Sequence, residues 1–183
     1  MRPIDDSGAA LPLRDAGVLV PVYRDDAGDL RIVVIRRTEG GVHGGQLAFP
    51  GGNREPGDAT LLDTALRETE EEIGLPRADA RVLASLEVIE TRTTGWRIAP
   101  FLAAIRRPAA WTPSAREIAE ILELRVADLM DPAAHGESLE QFPTWPKAYR
   151  IAYFKTGPHR LWGASYRILR PLLPRLAAGE WSV

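Results

Sequence analysis

The sequence of 183 residues contains no cysteine, which excludes disulfide bonds, zinc–thiolate centres and thiol catalysis. A strong net charge is also missing, because 25 acidic and 23 basic residues leave a formal charge of −2. No global basic field therefore attracts nucleic acid or an anionic membrane surface. An anionic ligand would have to be held by local arginines or by a bound metal ion.

Long hydrophobic runs are absent too. The opening residues, MRPIDDSGAALPLRDAG, contain no apolar segment typical of a secretory signal, and no stretch reaches the roughly 18 apolar residues of a membrane helix. The default expectation is a cytoplasmic protein with no membrane partner. The length predicts one domain over residues 1–183, with a flexible N-terminus at 1–14 and a hydrophobic core of ordinary size.

The hydrophobic pattern predicts several strands and two main helices. Two β-branched segments flank the turn DDAGD and predict a β-hairpin, and QLAFP predicts a short extended piece. The expected strands are 16–24, 30–37, 81–92, 97–106, the centre of 116–130, and 149–154. A long loop is expected at 131–146, and a C-terminal helix at 159–179 that bends or ends near Pro171 and Pro174. This order predicts an α+β fold with helices packed on a mixed sheet.

The clearest helix covers residues 59–73, with Asp58 as its expected N-cap and Gly74 at its end. Its apolar stripe is expected to face the core and consists of Leu62, Ala65, Leu66, Thr69 and Ile73.

Three glutamates of this helix, Glu68, Glu71 and Glu72, are spaced to share a neighbouring face, whereas Glu70 points elsewhere. Arg67 alone cannot neutralise them, but a divalent cation could. Carboxylate oxygens are hard ligands, so Mg²⁺ or Mn²⁺ is expected, and Mg²⁺ is typically shared with substrate phosphates. The alternative is a solvated acidic surface with no ligand.

The segments FPGG and RETEEEIGL together resemble the Nudix box. The matching positions are Gly52, Arg67, Glu68, Glu71, Glu72, Gly74 and Leu75, while Thr69 stands where an aliphatic residue is usual. The resemblance implies the Nudix fold, an α/β/α sandwich with a central mixed β-sheet. It also implies a hydrolase that cleaves diphosphate bonds with a divalent metal.

One extra residue between Gly52 and Arg67 resembles the coenzyme A diphosphatase branch of the family. That branch shares GQLAFPGG, an aspartate at Asp58, and ALRE. Weaker matches, TRTTGWRIAPFLAAI, REIAEILEL and HRLWGASYRIL, extend the resemblance over roughly residues 15–172. The chain departs from the branch at Gly41, where a second arginine is expected, and this departure weakens the coenzyme A assignment without affecting the metal chemistry.

The resemblance implies roles for individual residues. Glu68, Glu71 and Glu72 would hold Mg²⁺ with the carbonyl of Gly52, and Arg67 would orient the glutamates. Glu117 would be a further metal ligand or the general base, although an ordinary surface residue explains it equally well.

Substrate binding is assigned to three arginines, Arg36, Arg37 and Arg92, which would bind phosphate oxygens. The glycines Gly51 and Gly52 would let metal and phosphate approach the backbone closely. The tryptophans Trp96 and Trp162 are expected to pack rather than to stack on a base.

The function expected from these residues is Mg²⁺-dependent hydrolysis of coenzyme A or acyl-coenzyme A to 3′,5′-ADP and (acyl-)4′-phosphopantetheine. The alternatives are a Nudix enzyme for another nucleoside diphosphate derivative, such as NADH, ADP-ribose or a nucleotide sugar, and a non-catalytic nucleotide-sensing module. The expected partner is a small nucleotide or coenzyme A substrate, with no nucleic acid; a homodimer stays open.

Overall fold

The computed structural model describes residues 13–40, 44–91, 95–141 and 147–183. The expectations for Gly41, Arg92 and residues 1–12 lie outside these ranges. Eleven strands and three α-helices occur within the described residues. The strands are β1 (Arg14–Arg24), β2 (Leu30–Arg37), β3 (Leu47–Ala48), β4 (Gly51–Asn53), β5 (Ala80–Ser85), β6 (Ile89–Glu90), β7 (Trp96–Ile105), β8 (Ile118–Arg125), β9 (His135–Glu140), β10 (Tyr149–Thr156) and β11 (His159–Trp162). The helices are α1 (Leu61–Ile73), α2 (Val126–Met130) and α3 (Gly163–Ala177).

The larger sheet is mixed and is built around β1. Strand β1 runs parallel to β7, from the pair Arg14 and Trp96 to the pair Val22 and Ala104. It runs antiparallel to β2 and to the short β4, which confirms the predicted hairpin. Strands β3 and β8 extend the sheet beside β2, and β5 and β6 pair with β7. This topology places the Gly51–Asn53 strand directly beside the start of β1.

The two faces of this sheet carry different helices. Leu19 and Val33 belong to the core on the α1 side, which also contains Ala65 and Ile73. Val20, by contrast, contributes to a second core formed with α3. Because neighbouring residues of a strand point to opposite faces, β1 supplies both cores. The predicted α+β architecture, with helices on a central mixed sheet, is confirmed.

The prediction of a loop over 131–146 is wrong for the described residues. Strand β9 lies within that range, at the edge of a three-stranded antiparallel sheet in the order β11, β10, β9. Its sequence, HGESLE, is polar, and Leu139, its only large aliphatic residue, is exposed. The strand is defined by main-chain pairing with β10 rather than by an apolar face, so the sequence carries little signal for it.

Helix α1 begins two residues later than predicted. Its N-cap is Thr60, not Asp58: the Thr60 hydroxyl accepts from the Asp63 backbone N–H, and the Asp63 carboxylate accepts in return from the Thr60 N–H. This is a capping box with aspartate in the position usually held by glutamate. Gly74, with φ of 71°, ends the helix in the left-handed conformation, as predicted.

The C-terminal segment also differs from its prediction. Strand β11 occupies the first residues, and α3 then runs without interruption past Pro171 and Pro174. Both prolines lie on the exposed face of the helix. The carbonyls that they leave without a helical partner belong to Arg167 and Arg170, which are exposed residues, so solvent can satisfy them. In the described part of the chain, no helix is long and apolar enough to cross a bilayer.

Candidate active site

The loop before α1 and the middle of α1 are joined by Arg67. Its guanidinium binds both carboxylate oxygens of Asp58, at 3.1 and 3.0 Å, and donates to the carbonyl of Asn53 at 3.1 Å. Asp58 is buried and also accepts from the Thr64 hydroxyl at 2.8 Å. The hydrogen bonds from Arg67 are the main reason that the pKa of Asp58 lies well below its usual range. Asp58 therefore anchors Arg67 and does not cap the helix.

Glu68 lies against the backbone of Gly52. A Cβ added to Gly52 would be 2.5 Å from the Glu68 carboxylate, so any side chain there would displace that carboxylate. Burial raises the pKa of Glu68, Arg67 opposes this effect, and the charges of Glu71 and Glu117 add to it. The structure thus brings together a half-buried carboxylate and a bare stretch of main chain, as the predicted role of Gly52 requires.

Glu72 is the most deeply buried acid of α1, with 2% of its surface exposed. One carboxylate oxygen accepts from the Gly51 N–H at 2.9 Å, and the other lies 3.3 Å from an Arg37 guanidinium nitrogen. Burial nevertheless raises the pKa of Glu72 to about 7, and repulsion from Glu68 and Glu117 contributes. A buried carboxylate with these neighbours favours any added positive charge.

The remaining two glutamates of the helix point outward. The side chain of Glu71 is 59% exposed and lies 3.1 Å from Arg67, in the i, i+4 relation expected on one helix face. Glu70 is exposed and on the helix surface. The structure therefore separates the three predicted ligands into two inward carboxylates, Glu68 and Glu72, and one outward carboxylate, Glu71.

Glu117 approaches the site from the segment between β7 and β8. It is an exposed residue, yet its charge contributes to the raised pKa of both Glu68 and Glu72, so its carboxylate lies within electrostatic range of theirs. Its backbone carbonyl accepts from the Thr38 N–H at 2.8 Å, which ties it to the end of β2. This proximity favours a functional acid over an unrelated surface residue, although its role stays a prediction.

The segment that carries Glu117 is fastened in ways that the sequence did not reveal. The Ser114 N–H donates to the backbone carbonyl of Glu72 at 2.9 Å. Further back, the Trp111 indole N–H donates to Glu123 at 2.6 Å, and Arg107 binds the same carboxylate at 2.7 Å. These contacts join residues that are far apart in sequence, so no local sequence pattern predicts them. The Ser114 bond holds the segment against the C-terminal end of α1, and the bonds to Glu123 hold it against β8.

The predicted phosphate-binding arginines have different surroundings. Arg37 lies beside Glu72, within the site. Arg36 instead pairs with Glu120 at 3.1 Å and approaches Glu39 at 3.8 Å, so two carboxylates already occupy it. Arg92 lies outside the described residues. Of these three arginines, only Arg37 is therefore seen next to a predicted metal ligand.

The chemistry of these donors suits a hard divalent cation, because they are carboxylates and main-chain carbonyls. Within the described ranges, however, no three acidic or histidine side chains converge closely enough to enclose a metal ion. The reason is visible in the contacts: Arg67 holds Glu71 and approaches Glu68 at 3.2 Å, while Arg37 holds Glu72. The arginines supply the positive charge, and metal binding would require the carboxylates to turn away from them.

A glutamate-bearing helix behind a glycine turn, on a mixed sheet, defines a class of diphosphate-cleaving enzymes. The NUDIX domain model matches residues 13–145. The chain belongs to the Nudix family and is a Nudix hydrolase.

Known relatives agree with this assignment. The protein described as uncharacterized Nudix hydrolase NudL from Salmonella newport is 29% identical over 171 residues, which cover 87% of this chain and 81% of the relative. Among solved structures, RenU, a Nudix hydrolase from M. smegmatis, has a TM-score of 0.64 at 17% identity, covering 98% of this chain and 96% of RenU. A C. elegans Ap4A hydrolase has a TM-score of 0.53 at 20% identity, covering 63% of this chain and 82% of that one. These structural similarities support the fold alone.

Proposed function

We propose that this Nudix hydrolase cleaves the diphosphate of coenzyme A or an acyl-coenzyme A, giving 3′,5′-ADP and (acyl-)4′-phosphopantetheine. The observation that carries the catalytic part of the proposal is the meeting of Glu68, Glu72 and the Gly51–Gly52 backbone. There, two inward carboxylates with raised pKa values adjoin main chain that carries no side chain of its own.

Glu68 and Glu72, with the carbonyl of Gly52, are the proposed metal ligands, and Glu71 joins them if its exposed side chain turns inward. A bound Mg²⁺ would neutralise charge on the diphosphate oxygens and acidify an attacking water. Arg67 keeps Glu68 and Glu71 oriented through its anchor on Asp58. Arg37 pairs with Glu72 in this structure. Once a bound metal neutralises Glu72, the Arg37 guanidinium would be available to bind a substrate phosphate.

The proton of the attacking water needs an acceptor. Glu117 is the better candidate on accessibility, since it is exposed and its charge acts on both inward glutamates from another segment. Glu68 is the alternative, because its half-buried position raises its proton affinity. We propose Glu117 as the general base and Glu68 as a ligand.

The choice of coenzyme A rests on features of the sequence. The extra residue in the box lengthens the loop between β4 and α1, and this loop carries Asp58 to Arg67. GQLAFPGG supplies β3 and the turn into β4. Gly41, where an arginine would be expected, favours a second candidate: hydrolysis of another nucleoside diphosphate derivative.

A substrate panel tests both. Coenzyme A, NADH, ADP-ribose and nucleoside triphosphates are incubated with Mg²⁺ or Mn²⁺, and products are separated by chromatography. The proposal predicts fastest turnover of coenzyme A with release of 3′,5′-ADP. Slow turnover of coenzyme A beside fast turnover of another compound would establish the second candidate instead.

A pair of variants tests the site in the same assay. Glu72→Gln should abolish metal-dependent turnover, whereas Glu70→Gln, a neighbouring exposed glutamate on the same helix, should retain it. Equal activity of the two variants would overturn the assignment of the ligands.

A further inference from the structure

An open cleft lies beside the glycine turn, and the proposed mechanism does not use it. We propose that this cleft binds the planar base of a nucleoside diphosphate ligand, with the base stacked near Trp96 and Arg14. The inference rests on the proposed function in one respect, namely that a diphosphate binds at Glu68 and Glu72. It adds a site that recognises the nucleoside half of the substrate.

The cleft has a volume of about 550 Å³ and is lined by Arg14, Asn53, Arg54, Glu55, Pro56 and Trp96, among others. This volume falls within the range of small-molecule sites, about 300–1,000 Å³. The starts of the parallel strands β1 and β7 form one wall, since Arg14 and Trp96 are partners in the sheet register. The chain that leaves β4 forms the other.

The cleft adjoins the proposed catalytic site through Asp58, which lines the cleft and binds Arg67. Asn53 directly follows Gly52, and its carbonyl is held by Arg67, the residue that orients the glutamates. Arg54 is two residues beyond Gly52, a distance of about 7 Å along an extended chain. A ribose spans a gap of this order, so a diphosphate beside Gly52 would place an attached base in the cleft.

Trp96 provides a face suited to a planar group. It is partly exposed, and the guanidinium carbon of Arg14 lies 3.9 Å from the centre of its ring. The sequence predicted that Trp96 packs rather than stacks on a base; in the structure its side chain lines the cleft. Nucleobases stack on tryptophan rings and on guanidinium planes alike. A base could therefore enter beside Arg14 or take its place on the indole.

The charges around the cleft are compatible with a nucleotide. Asp15 is neutralised by Arg97 at 2.7 and 3.0 Å, and Asp58 by Arg67. Arg54 donates to main-chain carbonyls of the loop before α1, which keeps its cationic group at the wall. A pantetheine-like chain would gain most from aliphatic walls, whereas this cleft has polar walls and one aromatic face. The lining therefore favours the base-bearing half of the ligand.

Calorimetric binding of two probes in Mg²⁺ tests the inference without requiring hydrolysis. ADP carries both a diphosphate and a base, whereas methylenediphosphonate carries only the diphosphate mimic. Wild type should bind ADP more tightly than methylenediphosphonate. Trp96→Ala should weaken ADP binding by about 10-fold or more, in line with the loss of one base–aromatic stack, and leave methylenediphosphonate binding unchanged. Trp96→Phe should retain most of the ADP affinity.

Two further variants keep the test decisive. Trp181→Ala is the matched control, because Trp181 also carries an arginine, Arg175, at 4.6 Å from its ring centre but lies beyond the end of α3. It should bind both probes as wild type does. Trp96→Leu removes the aromatic face while keeping bulk, and it replaces Trp96→Ala if the latter does not fold.

The outcomes separate this inference from the proposed function. Loss of affinity for both probes to the same extent in the Trp96 variants, or no loss for either, overturns the base site. If wild type hydrolyses a diphosphate substrate but the Trp96 variants bind ADP as tightly as wild type does, the proposed function stands and the base site is wrong. A wild type that binds ADP through Trp96 but cleaves no compound of the panel supports the base site and rejects the proposed function.

Discussion

Replacing Gly52 with alanine tests the site through a single methyl group. The φ of Gly52 lies outside the left-handed region, so alanine is compatible with its backbone conformation. The new Cβ would nevertheless be 2.5 Å from both the Cδ and one oxygen of Glu68. The atoms in the way belong to the end of a flexible side chain, which can move. The fold should therefore survive, while Glu68 should not keep its position.

The size of the effect follows from the geometry. Ordinary contact with a Cβ begins near 3.4 Å, so the Glu68 carboxylate has to move by about 1 Å. A misplacement of this order at a catalytic group lowers rates by about 100-fold. We therefore expect kcat/KM to fall by about 100-fold and Mn²⁺ affinity to weaken. The midpoint of thermal unfolding should stay within a few degrees of wild type.

Two neighbouring glycines provide matched controls. An added Cβ at Gly57 meets no atom within 4 Å, so Gly57→Ala should leave both activity and stability unchanged. At Gly51, with φ of 148°, the Cβ would lie 2.4 Å from the carbonyl oxygen of Gly17. Gly51→Ala should therefore destabilise the fold by about 1–3 kcal/mol or more. Steady-state kinetics, Mn²⁺ titration and thermal unfolding of the three variants make the comparison.

The reasoning is refuted if Gly52→Ala keeps activity within threefold of wild type at unchanged stability. That result would mean that the contact between Glu68 and the Gly52 backbone has no catalytic role. A large loss of stability in this variant would refute the steric argument instead, because the backbone rather than the carboxylate would have yielded.

Three other predictions follow from individual contacts. Burial raises the pKa of Glu72 from 4.5 to about 7, so the folded state binds this proton more tightly than the unfolded state does. Metal-free protein should therefore lose up to about 3 kcal/mol of unfolding free energy as the pH rises from 4.5 through 7. Glu72→Gln should flatten this loss in urea titrations with EDTA, and an unchanged slope would contradict it. Thr60→Ala removes the N-cap of α1 and should cost about 1 kcal/mol of unfolding free energy, with Thr60→Ser as control and kcat/KM unaffected. Trp111→Phe removes the 2.6 Å bond to Glu123 and loosens the segment that carries Glu117, so kcat should fall by about 10-fold with little change in KM; a loss of stability alone would argue against positioning.

Local patterns predicted much of this fold. The turn DDAGD between β-branched segments gave the β1–β2 hairpin, and the spacing of α1 indicated its buried stripe and its end at Gly74. These features depend on neighbours within a few residues. The same spacing placed Glu68 and Glu72 near each other on the helix, but it could not show that Glu71 points to solvent, because that depends on where the sheet and loops lie.

Features that depend on residues far apart in the chain could not be predicted from the sequence. Asp58 was expected to cap α1, yet its carboxylate binds Arg67, and Thr60 caps the helix instead. The polar strand β9 exists through its pairing with β10. The approach of Glu117 to α1 depends on hydrogen bonds from a long connection, of which the Ser114 bond to the Glu72 carbonyl is the most direct.

The most direct test is a Mn²⁺ titration of the purified protein in the presence of methylenediphosphonate, followed by electron paramagnetic resonance of the free ion. Wild type should take up Mn²⁺ at the site of Glu68 and Glu72, and Glu68→Gln should weaken that uptake strongly while Glu70→Gln should not. A folded wild type that binds no Mn²⁺ under these conditions, or a Glu68→Gln variant that binds it as wild type does, would contradict the account.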